Sequence, residues 1–142
     1  MTKLTIDAAR TIIREALAKS HEMGLKPMSV IVLDAGGHPL AFEREDGAAP
    51  GRYAIAEGKA YGAVMLGMPG SAQMARAEAQ HYFMTAANGA FGGKVVPVPG
   101  GVIVRGEDGS VLGAVGVTGD TSDNDATAAL AGIEAAGLKG DA

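Results

Sequence analysis

The sequence predicts an α/β protein of the α+β type: an antiparallel sheet of about five strands flanked by helices, in the order αββααβββα. Three observations carry this. β-rich segments come in neighbouring pairs joined by short glycine-bearing turns, as in hairpins. Segments with helical spacing do not alternate with strands as βαβ units, which argues against a doubly wound parallel sheet. The 142 residues, 47% of them hydrophobic, fit one domain over residues 1–142, and no internal repeat, linker or second domain is visible.

The elements follow in order. Thr5 reads as an N-cap with Asp7 in the first turn. Apolar residues at Ala9, Ile12, Ile13, Ala16, Leu17 and Met23 then keep helical spacing, and Gly24 and Pro27 stop a helix over 5–23. Residues 28–33 are β-rich, Asp34-Ala35-Gly36-Gly37 is a turn signal, and 39–44 reads as the returning strand. A polar loop over 45–51 precedes helical spacing over 52–65, which Met68-Pro69-Gly70 breaks. Ser71 caps a second helical stretch reaching residue 85, and 88–93 is glycine-rich. Residues 94–98 and 101–105 are short strand candidates. Gly106-Glu107-Asp108-Gly109 turns the chain into a strand over 110–117. Thr121 or Ser122 caps a last helix through 138, followed by a short tail.

Composition narrows the function classes. The formal net charge is −4 with no Lys/Arg cluster, so no nucleic-acid partner is expected. No apolar run has the length of a membrane span, so no membrane partner is expected. The opening Met-Thr-Lys-Leu-Thr-Ile-Asp lacks the apolar core of a signal peptide. Cysteine is absent, which removes disulfides, thiolate metal sites and a cysteine nucleophile and suits a cytoplasmic location. The three histidines lack metal-site spacing, so no dedicated metal site is expected. Aromatics make up only 4%, so the core must be built from Ala, Val, Ile, Leu and Met. Such small side chains bury little area each, and a homo-oligomer, a dimer or higher, is expected to add burial.

Several short motifs stand in a fixed order. Val30 to Gly37 is a valine-rich strand ending in Asp-x-x-Gly; Arg44, Asp46, Gly47 and Ala48 form Arg-x-Asp-Gly-Ala; Lys59-Ala60-Tyr61 follows. Gly100-Gly101, the run Gly113, Gly116, Gly119, and Asn124-Asp125 come later. Together they resemble the GlcG/HbpS-like haem-binding family, also described as haem-degrading or similar to the C-terminal domain of PduO-type proteins, from Leu4 to about Ile133. The resemblance implies an antiparallel α/β fold, assembly into oligomers and, in some members, haem as cofactor. Two segments depart from the family pattern: Gly51-Arg52-Tyr53, and 84–94 with its extra glycine and alanine.

The resemblance marks Arg44, Asp34, Tyr61, Gly100, Gly101 and Gly119 as candidate ligand-binding residues. Arg44 has the fork to hold a carboxylate such as a haem propionate, or else pairs with Asp46 to hold its loop. Lys59, in an otherwise apolar helix, either serves an anion or a proton transfer with a lowered pKa, or snorkels and pairs with Asp34 or Asp46. The glycine pairs either expose N–H groups to an anion or permit close backbone approach. His21 is the candidate haem ligand, its alternative being a surface histidine at a helix C-terminus. The leading function is thus a small-molecule binding protein for haem or a related tetrapyrrole. The alternative is an enzyme, an isomerase, lyase or hydrolase acting on a small carboxylated metabolite. Arg44 would anchor its substrate, Lys59 or His38 would be acid/base, and Asp46 or Asp34 would orient it. An accessory protein that stabilises a neighbouring enzyme is the third reading.

Overall fold

A computed structural model describes residues 2–142; Met1, the first residue of the expected domain, lies outside the described residues. The elements are α1 (Ile6–Glu22), β1 (Ser29–Asp34), β2 (Pro39–Arg44), α2 (Arg52–Leu66), α3 (Gly70–Ala79), α4 (His81–Ala90), β3 (Gly101–Arg105), β4 (Val111–Thr118), α5 (Ser122–Ala135) and β5 (Lys139–Asp141). The five strands form one sheet in the order β2-β1-β4-β3-β5, and every neighbouring pair is antiparallel. This is the expected fold class.

Strand alternation sends side chains to two separate cores. Val30, Val32, Val102, Val104, Val115 and Val117 meet α1 and α5 on one face. Ile31, Leu33, Ile103 and Ala114 meet Ala56, Ala60 and Ala63 of α2 on the other. Helix α2 lies close to the sheet because both sides are small. A Cβ at Gly116 of β4 would run into the Ala56 carbonyl, and one at Gly101 into the Lys59 carbonyl. The same device joins the helices of the first face, where a Cβ at Gly132 of α5 would meet the Ile12 carbonyl of α1.

Local chemistry explains most boundaries. Thr5 caps α1 by accepting from Ala8 N at 3.1 Å. At the β1–β2 turn, Asp34 Oδ1 accepts from Gly36 N and His38 N, both at 2.9 Å, and Gly37 takes the left-handed backbone (φ 83°) that glycine adopts without penalty. Thr121 caps α5, accepting from Asn124 N at 3.3 Å.

Four segments differ from the sequence expectation. Residues 94–98 are not a strand: Pro97 lacks an N–H for a ladder, and the segment instead runs against α2, where Val96 N donates to Gly58 O at 3.2 Å. The fifth strand is β5, in the expected tail, pairing with β3 and tied by Arg105 Nη2 to Asp141 Oδ2 at 2.9 Å. The last helix ends before 138 because Gly137 turns left-handed and Leu138 N returns to Ile133 O, a Schellman closure. The stretch over 71–85 is two helices, split where Gln80 leaves helical geometry (φ −143°, ψ 64°) with no glycine or proline to announce it.

Candidate functional site

The sequence-expected residues fall into three places. The first is the β1–β2 turn. Asp34 Oδ1 lies 3.3 Å from His38 Nδ1 as well as accepting the two turn amides. The His38 backbone bond, with help from Gly36 and the His38 ring, holds the Asp34 carboxyl below its ordinary pKa. Tyr61 stands beside this turn: a Cβ at Gly37 would lie 3.4 Å from its ring. The Lys94 ammonium sits 5.0 Å from the Tyr61 ring centre.

The second place is the opposite end of β2. Arg44 and Asp46 are both exposed, and no Arg44–Asp46 ion pair forms among the described residues. Arg44 is the register partner of Ser29, so alternation points it to the α2 face of the sheet. There Arg52, at the start of α2, donates from Nη1 to the buried Thr118 Oγ1 at 2.8 Å. Five residues of extended chain separate Arg44 from Pro39 beside His38, a span of roughly 17 Å. Arg44 and His38 are therefore not brought together.

The third place is the interior beneath α2. Lys59 Nζ donates to Val117 O and to Asp125 Oδ2, each at 3.0 Å. The partner is neither Asp34 nor Asp46 but Asp125 of α5, whose Oδ1 accepts from Asp120 N at 3.0 Å. Burial pushes the Lys59 ammonium below its ordinary pKa, against the opposing pull of Asp125. Gly100 and Gly101 lie directly on this lysine, where a Cβ at Gly100 would come 2.7 Å from Nζ. A Cβ at Gly119 would meet Pro27 O and the Met28 sulfur. These glycines act in close approach of backbone to backbone and side chain.

His21 lies on the other face of the sheet from Arg44. It borders a surface groove of about 570 Å³ between α1 and β2, lined by Arg10, Arg14, Leu17, Ala18, His21 and Glu43. The helix residues recur at intervals of three and four, so they share one face of α1. His21 Nε2 is 2.5 Å from Glu45 Oε2, and Glu45 Oε1 accepts from Met28 N at 2.8 Å. On the far side of this pair, His21, Glu45 and Asp46 share a smaller hollow of about 160 Å³. Sequence reasoning singled out His21 but missed Arg10, Arg14 and Glu45. The helical spacing of Arg10, Arg14, Leu17 and His21 was a readable signal; the long-range Glu45 contact was not.

A five-stranded antiparallel sheet with α1 and α5 on one face and α2 on the other, bearing a basic histidine-edged groove beside its outer strand, defines an α+β protein with one candidate small-molecule site on the α1 face. Residues 4–134 match the family model described as haem degrading protein HbpS-like, and the chain belongs to that family. A double mutant of HbpS from Streptomyces reticuli is 30% identical over 94% of this chain and 87% of its own, with a TM-score of 0.79. The PduOC:heme complex is 22% identical, covers 99% of both chains and superposes with a TM-score of 0.86. The protein ORFY of Klebsiella pneumoniae is 23% identical over 96% of this chain and 92% of its own, with a TM-score of 0.83. No curated protein matches the chain.

Proposed function

We propose that this protein binds haem, in the groove between α1 and β2, with His21 as the iron ligand. The observation that carries this reading is the groove itself. It has the volume of a cofactor site, about 570 Å³, with an imidazole at one end, two guanidiniums toward the other and the aliphatic Leu17 and Ala18 between them. That donor set fits an anionic, apolar-faced macrocycle whose iron accepts a nitrogen ligand. The family description and the haem complex of the PduOC neighbour support the choice of ligand. Haem supplies redox-active iron when bound. The protein's own residues bind and orient it: His21 at the metal, Leu17 and Ala18 along the ring.

The reading of an enzyme acting on a small carboxylated metabolite finds less support. Its acid/base candidate Lys59 has a side chain only 3% exposed and is committed to Asp125, while Arg44 and His38 stand at opposite ends of β2. A homo-oligomer is proposed with the haem reading, supported by exposed Met74, Tyr82 and Phe83 on α3 and α4. A single domain is supported by both cores sharing one sheet. No helix among the described residues is long and apolar enough to cross a membrane; the proposal of a cytoplasmic location rests on the absence of cysteine.

The test is a haemin titration followed by absorbance, with His21→Ala in parallel. A saturable Soret shift in the wild type, weakened at least tenfold in His21→Ala, is the expected result. Absence of a saturable shift would remove haem as the ligand. An identical shift in both proteins would keep haem and remove His21 as its ligand.

A further inference from the structure

The groove's charge distribution says which part of the ligand it reads. We propose that Arg10 and Arg14 recognise the paired propionate carboxylates of a tetrapyrrole, so that the groove captures the macrocycle whether or not it carries iron. The proposal rests on the haem-binding reading and adds to it the chemistry that selects the ligand.

Arg10 and Arg14 are one helical turn apart on the face of α1 that forms the groove, a rise of about 6 Å. Their side chains are 69% and 65% exposed. Among the described residues each has only a solvent-facing partner on its own helix: Asp7 at 4.0 Å from Arg10, and Glu15 at 3.3 Å from Arg14. Exposed pairs of this kind contribute little, so both guanidiniums are available to exchange them for a carboxylate. A guanidinium fork takes a carboxylate through two parallel hydrogen bonds, and two forks one turn apart suit a dicarboxylate.

The rest of the groove agrees. Leu17 and Ala18 occupy the stretch between the arginines and His21, where an apolar ring would lie. His21 is about 10 Å along the helix axis from Arg14, which separates a metal-side end from a carboxylate-side end. Glu43 is the one acidic lining residue. It stands on β2, two residues before the Glu45 that touches His21.

The iron end is the less prepared of the two. The His21 Nε2 is already engaged by Glu45, whose other oxygen is tied to Met28 N. Ligation of a metal through that nitrogen must break the pair. Capture through the arginines needs only the exchange of exposed, weak contacts. Capture through the arginines therefore does not depend on iron ligation, which adds to it.

The test titrates the 142-residue protein with metal-free protoporphyrin IX, its dimethyl ester, and haemin, by fluorescence for the first two and absorbance for the third. Proteins are the wild type, Arg10→Gln/Arg14→Gln and His21→Ala, each checked for wild-type circular dichroism. The expected result is saturable binding of the free-acid porphyrin to wild type and to His21→Ala, with at least tenfold weaker binding after esterification or in the double arginine variant. If the ester binds as well as the acid, or the arginine variant binds unchanged, the arginines do not read the carboxylates. If haemin binds and metal-free porphyrin does not, iron is required and the proposal fails while the haem reading stands. If haemin itself does not bind, the haem reading fails and takes this proposal with it.

Discussion

Lys59 of α2 and Asp125 of α5 meet across one end of the sheet, Nζ to Oδ2 at 3.0 Å, with side chains only 3% and 1% exposed. The pair is not isolated. Lys59 also donates to Val117 O of β4, and Asp125 also accepts from Asp120 N. One ammonium and one carboxylate thus join α2, β4 and the start of α5, and the glycine pair at the start of β3 is fitted around them. The lysine that the sequence offers as a proton carrier is, in the fold, a tie between the two layers of helices.

This arrangement predicts a large asymmetry between single and double substitution. Lys59→Met leaves the Asp125 carboxylate buried without its cation, and Asp125→Leu leaves the ammonium so. Each is expected to cost about 3–5 kcal/mol, since a stranded buried charge loses its compensation. The double variant Lys59→Met/Asp125→Leu should recover a substantial part of that loss. Urea unfolding followed by circular dichroism measures all three. A double variant as unstable as the sum of the singles would show that the two residues act separately.

Asp120 predicts a component of the acid response. Its carboxylate accepts from the Asn124 side chain, Thr121 N and Lys26 N, which hold its pKa at about 2 against the ordinary 3.8. A depressed folded-state pKa means that the stabilising contribution is fully present above the unfolded value. It is lost as pH falls through the folded one. Wild type should therefore lose stability more steeply than Asp120→Asn between about pH 4 and pH 2. Thermal midpoints across that range decide it, and parallel curves for the two proteins would contradict the assignment.

The glycines predict opposite signs at different positions. Gly116→Ala would drive a methyl into the Ala56 carbonyl and force α2 off the sheet. A loss of about 1–3 kcal/mol is expected from such overpacking. Gly89 lies within α4 with nothing inside 4 Å of an added Cβ and no left-handed backbone. Gly89→Ala is expected to stabilise the protein by about 0.5–1 kcal/mol through helix propensity. Chemical denaturation midpoints of the two variants should move in opposite directions.

The His21–Glu45 pair predicts a gain of binding on substitution. Glu45→Gln keeps an oxygen for Met28 N but removes the charged partner of the imidazole. With a weaker competitor at Nε2, haemin should bind several-fold more tightly. The same absorbance titration used for His21→Ala reads this out. Equal or weaker affinity would mean that Glu45 does not compete with iron for His21.

Much of the fold was legible because its signals are local. Thr5, the Asp34-to-Gly37 turn, the continuous apolar runs of β1 and β4, and Thr121 all act over a few residues of chain. The errors sit where the deciding partner is distant. Residues 94–98 have strand composition, but their N–H groups turn to α2 and to Asn88 instead of the sheet. Lys139–Asp141 has no strand signal of its own and becomes one because β3 has an open edge and Arg105 reaches Asp141.

The candidate site divides in the same way. By itself the sequence offered the candidates for chemistry, Arg44, Lys59, His21, His38 and the paired glycines, and its helical spacing sets Arg10, Arg14, Leu17 and His21 on one face of α1. Tertiary structure decided which of them work together. Alternation along β2 and the packing of α1 and α2 on opposite faces put Arg44 and His21 on different sides of the sheet. Burial withdrew Lys59 from solvent and gave it Asp125, 66 residues away. The physical reason is that covalent geometry fixes spacing and face over a turn or a strand. Charge pairing, burial and concavity arise only when segments far apart in the chain are packed against one another.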